Sequence, residues 1–427
     1  MNTHHQILRK GSLIMGFIFY LQIANIAFHF LLKFGKQKVT AIIHRFTYRA
    51  TSDPKNIVII GGSFSGMQLA MLLSTSMPTG YKVTLVEKNT HMHYCFAFPR
   101  FSVLGGHDHK AFIPYEGLLR RAPKGAISII HEKAINIHKD HIELASNEKL
   151  SYEYLVIATG VSQPAPARLS ATDKIGGEGE LRGYQKAIRA SSRIAVVGGG
   201  AVGVELATDI KSFLPDKNVT LIHSRDRLLV RFGPQLHEAA YKRLQELGVK
   251  VYLNERPSLP NSKPFMPSET DIVFKDGQVE TFDLVISCIG QSPNSSPLKT
   301  LLPDAITEYG FIRVEPTLQV KAENEKHKNI FAIGDVAATD GPKMAFAGIA
   351  QADVACSNIL KLIRENHSTL QPYVPNFIEG KIKLSLGKDR GVFFMENEND
   401  YLLKFSNHDA PDIDARKAWK FFGVNMK

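Results

Sequence analysis

The distribution of apolar positions divides the chain into a long hydrophobic run, a series of short buried strands and a more alternating tail. Leu13 to Leu32 (LIMGFIFYLQIANIAFHFLL) is almost wholly apolar, and its clearly polar residues, Gln22, Asn25 and His29, share one face at helical spacing. Its length matches a bilayer-spanning helix. The pattern equally suits a helix lying in the interface, a mitochondrial presequence or an ordinary buried helix. Seven later runs, Asn56–Ile60, Lys82–Val86, Tyr154–Gly160, Ile194–Val197, Asn218–His223, Asp283–Gly290 and Asn329–Val336, are short, apolar and rich in β-branched residues. They predict buried parallel strands. Residues 126–144 alternate like antiparallel strands, and Ile272–Phe282 reads as a hairpin turning at Asp276-Gly277. Helical periodicity covers Met67–Ser76, Pro234–Leu247 and Lys343–Ile363. Beyond Pro372, strand-like Lys381–Leu386 and Val392–Met395 flank a turn at Gly387–Gly391, and Ala415–Phe422 reads as an amphipathic helix.

Two of the strands run into glycine turns of one kind. Ile194–Val197 leads into Gly198, Gly200 and Gly203, the G-x-G-x-x-G spacing of a dinucleotide-binding βαβ unit. The first glycine permits the tight turn, the second a close approach to a pyrophosphate, and the third close packing of helix on strand. Asn56–Ile60 leads into Gly61, Gly62, Ser63 and Gly66, with serine at the second glycine position, where its hydroxyl is placed to bond the pyrophosphate. The following strand ends at Glu87, a carboxylate suited to ribose hydroxyls. Its counterpart in the later unit ends at His223, with Arg225 and Arg227 close behind. Losing the carboxylate removes the repulsion of a 2′-phosphate, so NADPH is expected as coenzyme, with NADH also accepted. Glu205, just past the second loop, is either a helix-start acid or a group reaching the nicotinamide. Ala158, Thr159 and Gly160 close one later strand and Gly290 another, at the strand ends where doubly wound sheets meet ligands. The predicted fold is α/β, with two dinucleotide-binding, Rossmann-like domains. The first is discontinuous (53–175 and 290–365) and is interrupted by the second (176–289); a basic segment (1–52) precedes them and a small α+β domain (366–427) follows.

Composition changes this picture little. With 427 residues, 44% hydrophobic and 22% charged, the chain has material for two or three real cores. The net charge of +11 invites a nucleic-acid reading. Yet residues 1–52 hold Arg9, Lys10, Lys33, Lys36, Lys38, Arg45 and Arg49 and no acid, so most of the excess sits beside the hydrophobic run. No nucleic-acid motif accompanies it, and none is expected as partner. If Leu13–Leu32 crosses a membrane, this basic side faces the cytosol or matrix. Three scattered cysteines, Cys95, Cys288 and Cys356, form no C-x-x-C or C-x-x-x-x-C pair, which argues against a disulfide framework and a metal site. Cys95 lies in the aromatic run His91–Phe101 (HMHYCFAFPRF), where a redox role competes with packing; Arg100 near its end is a candidate cofactor contact.

The order Gly61–Gly66 with Glu87, ATG at 158–160, Gly198–Glu205 and IGDVA at 333–337 resembles the two-dinucleotide-fold flavoproteins. GGGAVGVELATDIK, VTLIHSRDRLL and PKMAFAG at 342–348 are similar to the ferroptosis-suppressor branch of the apoptosis-inducing-factor family. The resemblance covers roughly residues 55 to 400 and implies FAD as cofactor, NADPH or NADH as co-substrate, and ubiquinone or another quinone as acceptor. It places Gly334 and Asp335 at the ribityl chain, and Lys343, Met344 and Ala345 at a helix start facing the flavin pyrimidine ring. There Lys343 would stabilise charge on the reduced flavin. Ser63 and the hydrophobic N-terminus depart from the family pattern. Without M-G-x-x-x-[ST] at the start, membrane contact is expected through residues 13–32. The expected location is therefore a membrane, mitochondrial or on the cytosolic face of an organelle or lipid droplet. A type II NADH dehydrogenase, a single-cysteine NADH oxidase or peroxidase and a non-enzymatic redox sensor stay open as alternatives. The oligomeric state is open too, a homodimer being one candidate.

Overall fold

The computed structural model describes residues 7–8, 13–259, 264–321, 327–364, 369–407 and 410–426. A first parallel sheet runs, in spatial order, Ile330–Ala332, Tyr154–Ile157, Lys55–Ile60, Tyr81–Val86 and Ile127–Ile130. The chain thus leaves this sheet after Ile157 and returns to it with Ile330, beside the strand it left. The strands are buried on both faces: Ile57, Val58, Ile59, Leu155, Val156, Phe331 and Ala332 have no exposure, so each reads as an unbroken apolar run. Helices Phe64–Ser74 and Ala345–Ile363 pack side by side on one face. Between the two exits sits a second parallel sheet, ordered Lys250–Tyr252, Asn218–Ile222, Arg193–Val197 and Leu284–Ser287. Its helices are Ala201–Phe213 and Pro234–Glu246, and the hairpin Thr270–Val273 with Val279–Phe282 turns at Gly277 as its sequence requires.

Several elements differ from expectation. Ile127–Ile130 joins the parallel sheet, and only Ala134–Ile137, His141–Leu144 and Lys149–Ser151 form an antiparallel layer. Helix Lys174–Ala190 was not expected, because Gly176, Gly177, Gly179 and Gly183 depress its helix propensity. It starts on an Asp173 cap that accepts the Gly176 N–H at 2.9 Å. Tertiary packing requires one of those glycines, since a Cβ on Gly177 would stand 2.5 Å from the Phe112 ring. The helix at 343 begins only at Ala345, with Met344 as its cap.

The tail joins the two units. Ile382–Ser385, Gly391–Glu396 and Tyr401–Ser406 form an antiparallel sheet whose Leu384, Val392, Phe394 and Leu403 share a core with Leu236 and Leu244 of the second unit. Helix Ala415–Phe421 instead puts Ala415 and Trp419, together with the following Phe422, into the core of the first unit. The N-terminal helix runs from Leu13 to Thr47, well beyond the hydrophobic run, and carries the basic residues in its second half. Tyr48 behind it is buried and its hydroxyl donates to the Tyr81 carbonyl at 2.9 Å.

Candidate active site

The first glycine loop is built as its spacing demands. Gly61 has φ +105°, and a Cβ there would lie 2.3 Å from the Ala158 carbonyl oxygen; one on Gly66 would lie 1.8 Å from the Gly61 oxygen. Strand and helix therefore touch through backbone alone, and the free N–H groups at the start of Phe64–Ser74 open toward the loop. Ser63 is exposed, and its side chain caps nothing in the helix. Glu87 is buried, accepting the Gly62 N–H at 2.6 Å and the Asn89 N–H at 2.9 Å. Tyr115 closes the loop from behind, its hydroxyl donating to the Gly62 carbonyl at 2.8 Å. Burial, with Glu87 adjacent, keeps that phenol protonated.

The second loop repeats the construction. Gly198 (φ +126°) abuts the Cys288 carbonyl, and a Cβ on Gly203 would again stand 1.8 Å from a loop oxygen, that of Gly198. Around Gly200 nothing lies within 4 Å of a built Cβ, so the approach to a phosphate is open. His223 takes the position of Glu87, its Nδ1 accepting the Gly199 N–H at 3.0 Å. That bond leaves the ring proton on Nε2, which is buried, so no carboxylate stands at this position in the second unit. Burial lowers the imidazole pKa, which favours this neutral form. Arg225 stands exposed beyond it, and Arg227 donates to the Val230 carbonyl at 3.3 Å.

The strand ends converge between the loops. Thr159 donates to the Asn294 carbonyl at 2.7 Å and its own carbonyl accepts the Asn294 side-chain amide at 2.9 Å, so the outgoing and returning chains are tied beside Gly160. Gly290 makes its turn at φ +90°. Gly334, at φ +73°, donates its N–H to Gln351 Oε1 at 2.7 Å and packs on Ser65, which also lies against Gly348. Asp335 follows, its carboxyl pKa raised by burial and opposed by Lys343, Arg168 and Arg231. Lys343 donates to the Ala337 carbonyl and lies over the Phe311 ring at 5.1 Å; burial lowers its pKa while Asp335 opposes. Arg168 and Arg231 were not singled out in the sequence. Arg168 follows the short strand Val161–Ser162 and Arg231 belongs to the other nucleotide unit, and the charge of both acts on Asp335.

Two expectations change. Arg100 is not placed to hold a cofactor: it is 1% exposed, with Nε donating to Asp209 at 2.7 Å and its guanidinium also bonded to Ser385 and the Gly387 carbonyl. It pins the first unit to the second and to the tail. Glu205 accepts the Ser385 N–H at 3.0 Å, holding the second-unit helix to the tail sheet, so its carboxylate has a structural partner already. The cysteines are free thiols. Burial raises the Cys95 pKa despite Arg168 nearby, and pushes those of Cys288 and Cys356 up to about 12, so none is a ready thiolate. Among the described residues, no cluster of His, Cys, Asp or Glu suits a metal ion.

Two glycine-loop nucleotide sites, one at each parallel sheet, define a flavin- and pyridine-nucleotide-dependent oxidoreductase. The chain belongs to the pyridine nucleotide-disulphide oxidoreductase family, whose model matches residues 55–357. Within it the chain falls in the apoptosis-inducing-factor-like, ferroptosis-suppressor branch. It is 36% identical over 368 residues to Fe-regulated protein 8 of Mycosarcoma maydis, covering 80% of this chain and 89% of that one. To ferroptosis suppressor protein 1 of Xenopus laevis it is 31% identical over 390 residues, covering 88% and 98%. Among solved structures, the sulfide:quinone oxidoreductase of Aquifex aeolicus superimposes with a TM-score of 0.67 at 19% identity, covering 86% and 90%. The water-forming NADH oxidase of Lactobacillus brevis gives 0.60 at 18%, covering 80% and 75%. The protein is an NAD(P)H oxidoreductase and uses FAD. The first loop fits that cofactor: its glycines clear the approach, Ser63 is unengaged as a cap, and Glu87 stands where an adenosine ribose would meet it.

Proposed function

We propose that this chain is an FAD-dependent NAD(P)H:quinone oxidoreductase, passing reducing equivalents from NAD(P)H to ubiquinone or a similar quinone at a membrane. The observation that carries the reading is the state of the thiols. Cys95, the cysteine closest to Asp335 and Arg168, has no partner cysteine and is held protonated by burial, so no dithiol relays electrons out of the cleft. FAD, when bound, supplies hydride acceptance and onward electron donation. The chain's own residues bind, orient and bias charge. Gly61, Gly62, Ser63, Gly66 and Glu87 hold the adenosine and pyrophosphate, with Ala158, Thr159, Gly160, Gly334 and Asp335 beneath. Gly198, Gly200, Gly203, His223, Arg225 and Gly290 hold the coenzyme.

Lys343 and the start of the Ala345–Ile363 helix place positive potential beside Asp335, where they would stabilise negative charge on a flavin held there. Glu205 is given a positioning part, fixing the coenzyme helix against the tail. The exposed hydrophobic face of the N-terminal helix supports a membrane-borne, apolar acceptor. The body sits on the cytosol or matrix side of its membrane.

Stopped-flow reoxidation of the NADPH-reduced protein tests this. Quinone should reoxidise it at least ~10²-fold faster than air-saturated oxygen at matched concentration, and Cys95→Ser should leave that rate unchanged. Faster reoxidation by oxygen, or its loss in Cys95→Ser, would indicate an oxidase or peroxidase. Slow reoxidation by both would indicate a redox sensor.

A further inference from the structure

The N-terminal helix has two long faces with opposite fates. Gly16, Phe19, Ile23 and Ile26 and, past an exposed middle stretch, Gln37, Thr40 and His44 recur at three- and four-residue spacing and turn toward the body. Phe19 packs on Phe377 at 5.5 Å, the Asn397 amide donates to Gln22 at 3.1 Å, Lys33 pairs with Asp353 at 2.8 Å, and His44 bonds the Met77 carbonyl at 2.6 Å. The helix is thus moored from its first turns to its last. The chain ahead of it is moored as well: Ile7 and Leu8 pair antiparallel with Lys404 and Leu403 at the edge of the tail sheet.

Along the opposite face a row of large apolar side chains stands exposed among the described residues. Phe17, Leu21, Phe28, Leu32, Val39 and Phe46 follow one another at four- and seven-residue spacing and are 52–71% exposed. At roughly 100° per residue they form one continuous stripe. Lys36 lies along one edge and Lys38 and Arg45 along the other, with Arg49 just past the helix end. Arg45 and Arg49 also line an open cleft with Lys124. Residues 1–52 contain no acid.

We propose that this helix lies flat in the headgroup region of an anionic lipid leaflet and does not cross it. Crossing by residues 13–32 would put Ile7 and Leu8 on the far side of the bilayer from the strand they pair with, and would strip Phe19 and Gln22 from Phe377 and Asn397. In-plane binding keeps every one of those contacts, buries the apolar stripe and sets the flanking cations against lipid phosphates and carboxylates. This rests on the membrane-facing reading above and adds its geometry: the body is held by one of its sides, with the Ala345–Ile363 helix directly behind the moored face through Asp353.

The full-length, FAD-loaded protein is to be floated with vesicles of phosphatidylcholine alone or mixed about 2:1 with phosphatidylserine. Binding should be at least ~10-fold stronger to the mixed vesicles and should fall with salt. The double variant Phe28→Glu, Val39→Glu should lower it at least ~10-fold while reduction of a water-soluble short-chain quinone stays unchanged. Tryptophans replacing Phe17, Phe28 or Phe46 one at a time should be quenched alike by lipids brominated at one shallow depth. Quenching deepest at position 28 and absent at 46 would mean a spanning helix and overturn the proposal. So would a concentration-dependent dimer, lost in the double variant, with no vesicle binding, since a second copy would then cover the stripe. Failure of the parent to reduce the soluble quinone while it still binds vesicles would instead sink the quinone reading alone.

Discussion

The two nucleotide loops are built on the same backbone plan and end in opposite chemistry. In each, the third glycine brings helix against strand with no room for a Cβ, and in each the N–H of the second residue (Gly62 or Gly199) is captured by the side chain that ends the next strand. In the first loop that side chain is a buried carboxylate with both oxygens engaged, and in the second a neutral imidazole with one nitrogen engaged. The turn geometry is common because a pyrophosphate makes the same steric demand in both places. On the proposed assignment the capturing residue sets what else each pocket will tolerate: a carboxylate suits free ribose hydroxyls, and its replacement beside Arg225 removes the repulsion of a 2′-phosphate.

The sharpest way to separate the loops is to block each in turn. Gly66→Ala should give folded but colourless protein that FAD does not reconstitute, whereas Gly203→Ala should give yellow protein that neither NADH nor NADPH bleaches anaerobically. Identical spectra for the two variants would break the assignment of one cofactor to each loop. Next in size is the strut between the units. Arg100→Met leaves Asp209 buried without its cation and should destabilise the protein by about 3–5 kcal/mol, read as a fall in Tm, with much of it recovered in Arg100→Met, Asp209→Leu. If FAD affinity alone changed and Tm did not, Arg100 would be a cofactor contact after all.

Exchanging the capturing residues comes third. His223→Glu should raise the KM for NADPH by ~10-fold or more and leave that for NADH within a few-fold, a difference of about 1.4 kcal/mol. Equal effects on the two coenzymes would remove the 2′-phosphate from the argument. Smallest is Ser63→Gly, which makes the first loop match the second. It should weaken FAD binding by about fivefold at most, the worth of one hydroxyl hydrogen bond of ~1 kcal/mol, measured by titration of the stripped protein.

What was legible along the chain was what local sterics and periodicity enforce. The glycine loops, the all-apolar parallel strands and the Asp276-Gly277 hairpin each carry their cause within a dozen residues. Helix Lys174–Ala190 was hidden by its four glycines, one of which, Gly177, answers to Phe112, more than sixty residues upstream. Arg100 was misread for a related reason: a basic residue near a cofactor loop looks like a ligand until Asp209 and Ser385 are seen to surround it. Arg168 and Arg231 passed unnoticed because their charges act on Asp335 only through tertiary proximity, from segments more than a hundred residues away in the chain.

By itself, then, the sequence determined two nucleotide loops, the family they belong to, and an apolar helix bordered by positive charge, since turn sterics, strand burial and helical period act over short stretches. Tertiary structure alone decided which charges are struts and which face the cleft, because a buried guanidinium is defined by partners distant in the chain. It also decided how the N-terminal helix is moored, because Asp353 reaches it from the first unit and Phe377 and Asn397 from the folded tail, all distant in the chain.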